Sequence, residues 1–185
     1  MRGHLSILPH VPNRMTVLET DRLRLRQLSP VADAAFMLRL LNDPSFIRNI
    51  GDRGVRSEAD ASRYVADGPA ASYARHGFGL YLVELREDGE PLGICGLVQR
   101  DYLDDPDIGF AFLPEHGRRG YGFESATAVK AYAFGTLGVR RLLAITSIDN
   151  EPSIRLLGRI GLRFDRMITP PGRAEVLRLF TTDPA

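Results

Sequence analysis

The sequence predicts a single domain of the α/β class, with strands and helices mixed in the α+β manner. Its 185 residues correspond to about one domain and suffice to bury a core. Apolar residues recur with a period of two in some segments and near 3.6 in others, and these segments alternate along the chain. Asp88-Gly89 lies between two apolar runs, which is typical of a β-hairpin.

The first half of the chain predicts one strand, two helices and a hairpin. Residues 22–27 alternate as a half-buried strand, and residues 30–41 follow as a helix that Pro44 stops. A second helix begins at a capping box at Ser57 and continues towards residue 75, with a break near Gly68-Pro69. The hairpin strands occupy residues 79–86 and 91–99. The basic residues expected on the exposed face of the first strand are Arg22, Arg24 and Arg26.

The second half predicts four more strands and two helices. A helix follows the glycine loop described below, with Ala126, Val129, Ala133 and Leu137 on one face. A second helix ends at Gly161. The strands are expected at residues 106–113, 140–146, 162–168 and 174–181, and the second helix at residues 152–160. Residues 1–14 are expected to form a flexible tail before a domain of residues 15–185, and Met15 is a possible natural start.

The segment from His116 to Ser125 predicts an anion site. It is a basic, glycine-bearing loop between a predicted strand and a predicted helix, and the first N–H groups of a helix have no partner within it. Gly120 and Gly122 allow a ligand to approach the backbone closely. The glycines read G-x-x-G-x-G, which is neither the Walker spacing nor the dinucleotide-binding G-x-G-x-x-G. A phosphate or pyrophosphate is the expected ligand.

This glycine spacing resembles the acyl-CoA loop, [QR]-x-x-G-x-[GA], of the GNAT superfamily of N-acetyltransferases, with Gly117 at the first position. A second segment, residues 146–164, is similar to the family's N-x-x-S-x-x-[LV]-x-x-x-x-G-F block, with Asn150 and Ser153 at its polar positions. Residues 19–26 resemble the first strand of the ribosomal-protein-alanine acetyltransferase (Rim-type) branch. The resemblance covers residues 16–182. It implies a GNAT-like domain with a central, mixed, mostly antiparallel sheet of about seven strands flanked by helices.

The resemblance also implies acetyl transfer from acetyl-CoA, a cosubstrate, to a primary amine, either a protein N-terminus or a small molecule. Backbone N–H groups of the loop would hold the cofactor, and an N–H near Phe112 or Leu113 would meet the thioester oxygen. The expected cofactor-binding residues are Phe112, Leu113, Arg118, Arg119, Gly120, Tyr121, Gly122, Phe123, Glu124, Ser125, Asn150 and Ser153. Three further arginines are candidates for the 3′-phosphate or for a solvated face: Arg155, Arg159 and Arg163.

Asp107 and Ser153 are the candidate catalytic residues. Asp107 stands where relatives carry a Glu in an E-I-G-[YF] strand, and it is expected to accept the amine proton through water. The alternative for Asp107 is a structural pair with an arginine. Ser153 is the candidate acid for the departing thiolate. The alternative for Asn150 and Ser153 is that they serve only the start of a helix.

Composition excludes several other classes of protein. A net charge of +1 is too low for a typical nucleic-acid binder, and no apolar run reaches membrane-spanning length. Four scattered histidines and the single Cys95 predict no metal site and no internal disulfide. A cytoplasmic monomer or homodimer is expected. An acidic group before the fourth strand is interpreted as a solvated loop or as an attractor of a cationic amine: Asp101, Asp104 and Asp105.

Three hypotheses therefore follow from the sequence. The favoured one is a catalytic acetyl-CoA-dependent N-acetyltransferase. The second is an acyl-CoA-binding sensor or interaction module without catalysis, which Gly117 and the short Asp107 side chain keep open. The third is an unrelated phosphate-binding α/β domain.

Overall fold

Eight strands form one mixed sheet in the computed structural model, which describes residues 15–182. The expected tail at residues 1–14 lies outside the described residues. The strand order is β1-β2-β3-β4-β5-β6-β8-β7, and every neighbouring pair is antiparallel except β5 and β6. The strands are β1 (Thr16–Glu19), β2 (Leu23–Arg26), β3 (Leu80–Leu85), β4 (Pro91–Val98), β5 (Asp107–Phe112), β6 (Leu143–Ser147), β7 (Arg163–Ile168) and β8 (Leu177–Thr181). The predicted fold class is confirmed.

Six α-helices lie among these strands in the described part of the chain. They are α1 (Ala34–Leu41), α2 (Pro44–Ile50), α3 (Glu58–Val65), α4 (Ala71–His76), α5 (Tyr121–Gly135) and α6 (Glu151–Arg159). A π-helical turn, Ala66–Ala70, joins α3 to α4 at the predicted break and contains Pro69. The Ser57 side chain accepts a hydrogen bond from the Asp60 N–H, which confirms the predicted start of α3.

The predicted end of the first helix before Pro44 is confirmed, since α1 ends at Leu41, but the short helix that follows was not predicted. Pro44 begins α2, with Asp43 as the capping residue. The Asp43 carboxylate accepts a hydrogen bond from the Ser45 N–H at 2.8 Å. Proline is tolerated in the first turn of a helix because its missing N–H has no intrahelical partner there. Helix α2 matters for the candidate site described below because its last two residues, Asn49 and Ile50, line the cleft there.

Helices cover both faces of the central strands, whereas β7 at the edge of the sheet is largely exposed. On one face α5 and α6 pack over a core that includes Tyr81, Cys95 and Ile108. On the other face α1, α2 and α3 pack over a second core that includes Met37 and Leu113. Because side chains alternate along a strand, β5 sends Ile108, Phe110 and Phe112 to the α5 side and Asp107 to the α1–α3 side.

Arg26 does not lie on an exposed basic face, as the alternation had predicted. Its side chain is only 3% exposed and pairs with two buried carboxylates. The guanidinium donates two hydrogen bonds to Asp33, at 2.8 and 2.9 Å, and one to Glu84 at 2.9 Å. Period-two alternation identified the strand but could not reveal that α1 and β3 would cover this side of it.

Cys95 is fully buried in β4, as predicted for a small core residue. Burial raises the pKa of its thiol to about 12. Within residues 15–182, no helix is long and apolar enough to cross a membrane.

Asp33→Asn should destabilise the fold strongly. The substitution removes a charge from a buried ion pair and leaves Arg26 only partly compensated, which typically costs about 3–5 kcal/mol. Urea denaturation followed by circular dichroism would measure the loss in the free energy of unfolding.

Asp52→Asn is the matched control, because Asp52 pairs with Arg56 in an exposed position. Exposed pairs contribute little, so this variant should unfold close to the wild-type midpoint. Equal stability of the two variants would contradict the buried role of Arg26.

Candidate active site

A gap between β5 and β6 lies at the centre of the site. The two parallel strands pair only at Asp107 and Leu143, and the Leu143 N–H donates to the Pro106 carbonyl at 3.0 Å. No further pairing between them occurs in the described chain. The rest of β5 therefore has β4 on one side and an open cleft on the other.

Backbone direction decides which N–H groups of β5 face this cleft. The Leu113 N–H donates to the Leu92 carbonyl of β4 at 3.0 Å. Because N–H groups alternate between the two sides of a strand, those of Phe110 and Phe112 point away from β4 and into the gap. The prediction that either Phe112 or Leu113 could offer its N–H is corrected here for Leu113, whose N–H is already bonded.

Gly93 fixes the spacing of β4 and β5 at this point. A Cβ atom on Gly93 would overlap the Ala111 carbonyl oxygen and lie 2.7 Å from the Phe112 ring. Glycine is therefore required sterically for β4 to approach so closely. The position of Phe112 next to β4 depends on this contact.

The glycine loop leads directly into α5. Gly120 adopts a left-handed conformation, with φ of 82°, and Arg118 has a φ of 61°. The first intrahelical bond runs from the Glu124 N–H to the Gly120 carbonyl at 3.0 Å. The N–H groups of Tyr121, Gly122 and Phe123 are thus the ones that helix geometry leaves without intrahelical acceptors.

Two predicted loop donors are already used within the helix. The Glu124 N–H is bonded as described, and Ser125 lies one turn inside α5, where N–H groups bond the carbonyl four residues earlier. The Ser125 hydroxyl also donates to the Tyr121 carbonyl at 2.8 Å and is completely buried. The backbone N–H groups of Glu124 and Ser125 are therefore corrected from cofactor donors to parts of the helix.

A clamp ties the turn between β1 and β2 to the loop. The Glu124 carboxylate accepts hydrogen bonds from the Thr20 hydroxyl at 2.5 Å and from the Arg22 side chain at 2.7 Å. Arg22 also donates to the Arg119 carbonyl at 3.0 Å, and its guanidinium lies 4.7 Å from the centre of the Tyr121 ring. Arg22 therefore contacts three residues of the loop segment, namely Arg119, Tyr121 and Glu124.

Gly122 packs inside the protein rather than against open space. A Cβ atom there would lie 3.0 Å from Leu156 and 3.6 Å from Phe112. Gly122 does not have a positive φ. Its small size therefore keeps α5, α6 and β5 close together, and a larger residue would disturb this packing whether or not a ligand is bound.

The cleft has a volume of about 120 Å³ and brings distant parts of the chain together. Asp107, Asn150 and Ser153, which the sequence predicted as site residues, all line it. Five other charged or amide residues in its wall were not predicted: Asn49, Arg53, Arg100, Arg173 and Glu175. They lie in α2, in loops beside β5, and in the connection between β7 and β8, where sequence periodicity gives no signal.

Asp107 forms an ion pair with Arg100. The Arg100 Nε lies 2.8 Å from one carboxylate oxygen and its Nη2 lies 3.3 Å from the other. The Asp107 side chain is 2% exposed, and burial raises the pKa of this carboxyl against the opposing effect of the Arg100 charge. The structural pairing that the sequence left open is thus present, and the role of Asp107 as a base stays a prediction.

Helix α6 begins at the cleft. The Asn150 side-chain oxygen accepts a hydrogen bond from the Ser153 N–H at 3.3 Å, so Asn150 does cap this helix. Both residues also line the cleft, so capping and ligand contact do not exclude each other. Within residues 15–182, the Ser153 hydroxyl makes no hydrogen bond, and its predicted role as an acid stays a prediction.

The arginines after Ser153 differ in their surroundings. Arg159 lies over the Phe123 ring, 4.1 Å from its centre, and is therefore beside the start of α5. Arg155 lies 3.7 Å from Glu151 on the exposed face of α6. Of the three arginine candidates for the 3′-phosphate, Arg159 is the one placed beside the loop by these contacts.

The acidic cluster before β5 is not part of the cleft wall. Asp105 pairs with Arg141 at 2.6 Å, and Asp104 is largely exposed. The expectation that this cluster attracts a cationic amine into the site finds no support in this placement. Among the described residues, no group of three or more His, Cys, Asp and Glu side chains could hold a metal ion.

The chain is similar to known proteins in sequence and in structure. Residues 22–163 match the model of the acetyltransferase (GNAT) domain. The chain is 31% identical over 150 residues to the uncharacterised N-acetyltransferase YoaA of Bacillus subtilis, covering 80% of this chain and 82% of YoaA.

Solved structures agree on the fold. An acetyltransferase from Agrobacterium tumefaciens superposes with a TM-score of 0.76 at 26% identity, covering 97% of this chain and 98% of the other. RimL, a ribosomal L7/L12 α-N-protein acetyltransferase solved in complex with coenzyme A, has a TM-score of 0.75 at 15% identity, covering 88% and 94%.

The stability of Glu124→Gln should fall less steeply with decreasing pH than the stability of the wild type. Hydrogen bonds from Thr20 and Arg22, with the Arg22 charge, lower the pKa of Glu124 from its ordinary 4.5 against the effect of burial. A depressed folded-state pKa stabilises the fold above about pH 4.5, and this contribution is lost as the pH falls through the folded value.

Thermal unfolding midpoints between pH 7 and pH 3 would measure this effect in the wild type and in Glu124→Gln. Asp104→Asn, at a largely exposed carboxylate, is the control and should follow the wild-type curve. If the curve of Glu124→Gln were parallel to that of the wild type, the clamp would not contribute as described.

Proposed function

The chain belongs to the GNAT acetyltransferase family, and from this premise we propose that it transfers an acetyl group from acetyl-CoA to a primary amine. The observation that carries the proposal is the gap between β5 and β6, which opens beside the uncapped start of α5. The amine is a protein N-terminus or a small molecule. The enzyme acts in the cytoplasm as a monomer or a homodimer.

The start of α5 holds the pyrophosphate of the cofactor. Its free N–H groups and the positive end of the helix dipole favour an anion, and Arg118 and Arg119 add two exposed positive charges. The dipole contributes only about 0.3–1 kcal/mol at an exposed site, so the direct hydrogen bonds supply most of the affinity. The coenzyme A bound to RimL, which shares the fold, supports this assignment.

The acyl arm runs from the loop into the gap. Asn150 and Ser153 lie at the cleft wall on the α6 side, where they would meet the arm. The N–H of Phe112, with that of Phe110 one alternation earlier, points to where the thioester oxygen would lie. Hydrogen-bond donors fixed at this position stabilise the negative charge that develops on that oxygen.

The reaction exchanges one bond for another. The nitrogen lone pair of the neutral amine attacks the thioester carbon, so a C–N bond forms while the carbonyl electrons move to oxygen. The C–S bond then breaks and its electron pair leaves with sulfur. The amine loses one proton to a base and the thiolate gains one, so the products are an N-acetylated amine and coenzyme A.

Proton transfer falls to the polar residues of the cleft. Ser153 is the candidate acid, since its hydroxyl lines the cleft without a bond to another described residue. Asp107 is the candidate base, acting through water, and its raised pKa strengthens it in this role. The ion pair with Arg100 orients the Asp107 carboxylate but also keeps it from moving to the amine. A bridging water is therefore necessary for the proton transfer.

Acetyl-CoA should stabilise the protein against heat, and an amine should then release free thiol. At a ligand concentration 100 times the Kd, stabilisation of about 2.7 kcal/mol is expected by mass action. The double variant Arg118→Gln/Arg119→Gln should bind acetyl-CoA at least several-fold more weakly, measured by calorimetry.

The double variant Arg48→Gln/Arg140→Gln is the control, since it removes the same charge from two exposed positions away from the loop. It should bind as the wild type does. Stabilisation by ATP but not by acetyl-CoA would contradict the proposed cofactor. Binding of acetyl-CoA without thiol release for any amine would favour the non-catalytic acyl-CoA-binding alternative.

Ser153→Ala should lower kcat with little change in KM for acetyl-CoA, because an acid for the leaving thiolate acts only in the transition state. Asp107→Asn should lower activity most at low pH, where more of the amine is charged. General acid–base catalysis contributes about 10²–10⁴-fold, so a loss below threefold would exclude the residue from proton transfer. Circular dichroism of Asp107→Asn must remain native, because Arg100 loses its partner.

A further inference from the structure

Residues from both faces of the sheet line the cleft, and its two sides differ in chemistry. The α5 face carries the glycine loop and the start of α6. The opposite face is formed by the end of α2, the loop after it, and Asp107 of β5, whose side chain points to the α1–α3 side. If the cofactor occupies the α5 side, the acceptor amine must approach from the α2 side.

Arginines dominate the charged residues of the cleft wall. Arg53, Arg100 and Arg173 line the cleft together with only two carboxylates, those of Asp107 and Glu175. The Asp107 charge is already matched by Arg100. Within the described residues, Arg53 and Arg173 have no carboxylate within ion-pair distance, so this wall keeps an excess of positive charge.

Arg53 carries a second and independent signal. Its Nε atom is shielded from solvent yet has no hydrogen-bond partner among the described residues. Buried polar atoms are normally bonded, and an orphaned one needs an explanation. A guanidinium edge formed by Nε and Nη suits a carboxylate or phosphate, which can accept two parallel hydrogen bonds from it.

The loop presents Arg53 in a fixed way. Gly51 and Gly54 on either side have positive φ values of 109° and 69°. The Asp52 carboxylate accepts from the Gly54 N–H at 2.8 Å and pairs with Arg56, which also donates to the Asn42 side chain. These contacts hold the turn in place, and Arg53 is the residue of the turn that lines the cleft.

We propose that the acceptor carries an anionic group, a carboxylate or a phosphate, close to its amine, and that Arg53 with Arg173 binds this group at the α2 side of the cleft. This inference rests on the proposed acetyl transfer, and it narrows the acceptor to amines with an adjacent anion. Arg53 is a specificity-determining residue and takes no part in binding the cofactor.

Matched pairs of amines test the inference. One arm compares each of the common amino acids with its decarboxylated amine, and the other compares 2-aminoethyl phosphate with ethanolamine. Thiol release gives kcat/KM, and calorimetry with protein saturated by coenzyme A gives acceptor binding without turnover. The anionic member of at least one pair should be favoured by about tenfold or more, the order expected for a charge-assisted hydrogen bond.

Arg53→Gln should abolish most of this preference while leaving the affinity for acetyl-CoA unchanged. Arg173→Gln should reduce the preference less, because Arg173 is more exposed. Arg48→Gln is the control, an exposed arginine on α2 outside the cleft, and it should keep the wild-type preference.

The outcomes separate this inference from the proposed function. Anion-dependent binding that requires Arg53 but gives no thiol release would sustain Arg53 as an anion-binding residue and contradict the proposed transferase. Thiol release that is equal for both members of every pair, or a preference that survives Arg53→Gln, would overturn the inference and leave the transferase standing. A loss of acetyl-CoA affinity in Arg53→Gln would also overturn it, by assigning the arginine to the cofactor.

Discussion

The separation of β5 from β6 after a single residue pair is the constraint on which the site depends. A sheet that remained closed here would use the Phe110 and Phe112 N–H groups in its own ladder and leave no space between its two faces. An unpaired strand edge in the interior leaves backbone groups without hydrogen bonds, which costs free energy. A bound ligand can offset this cost by forming those hydrogen bonds. The gap therefore leaves these backbone groups accessible to a ligand, as the proposed function requires.

Around this opening, arginine side chains pair with carboxylates of the protein and neutralise their charge. Glu124 lies in the first turn of α5, where a free negative charge would compete with a bound anion. Thr20 and Arg22 bind the Glu124 carboxylate, so its negative charge is offset beside the loop. Arg100 does the same for Asp107 on the other face. The arginines left without such partners mark where charge from a substrate is expected.

The fold and the glycine loop at the start of α5 were predictable from sequence, because hydrophobic periodicity and glycine spacing are local features. The acceptor side was not. Arg53 belongs to a turn whose importance appears only when α2 packs beside β6, and Pro44 was interpreted as an end rather than a beginning. The difference between Leu113 and Phe112 likewise depends on the register with β4, since two adjacent residues of a strand look equally suitable until one of them is bonded.

The burial of Cys95 has a practical chemical consequence. An enzyme that releases a thiol in every cycle exposes its own cysteines to mixed disulfides with that product and with any aromatic disulfide reagent. Thiolate is the reactive form, and a pKa of about 12 at a fully buried position leaves almost none at neutral pH. Since Cys95 is the only cysteine of the chain, chromogenic thiol reagents should report coenzyme A alone, against a protein background close to zero.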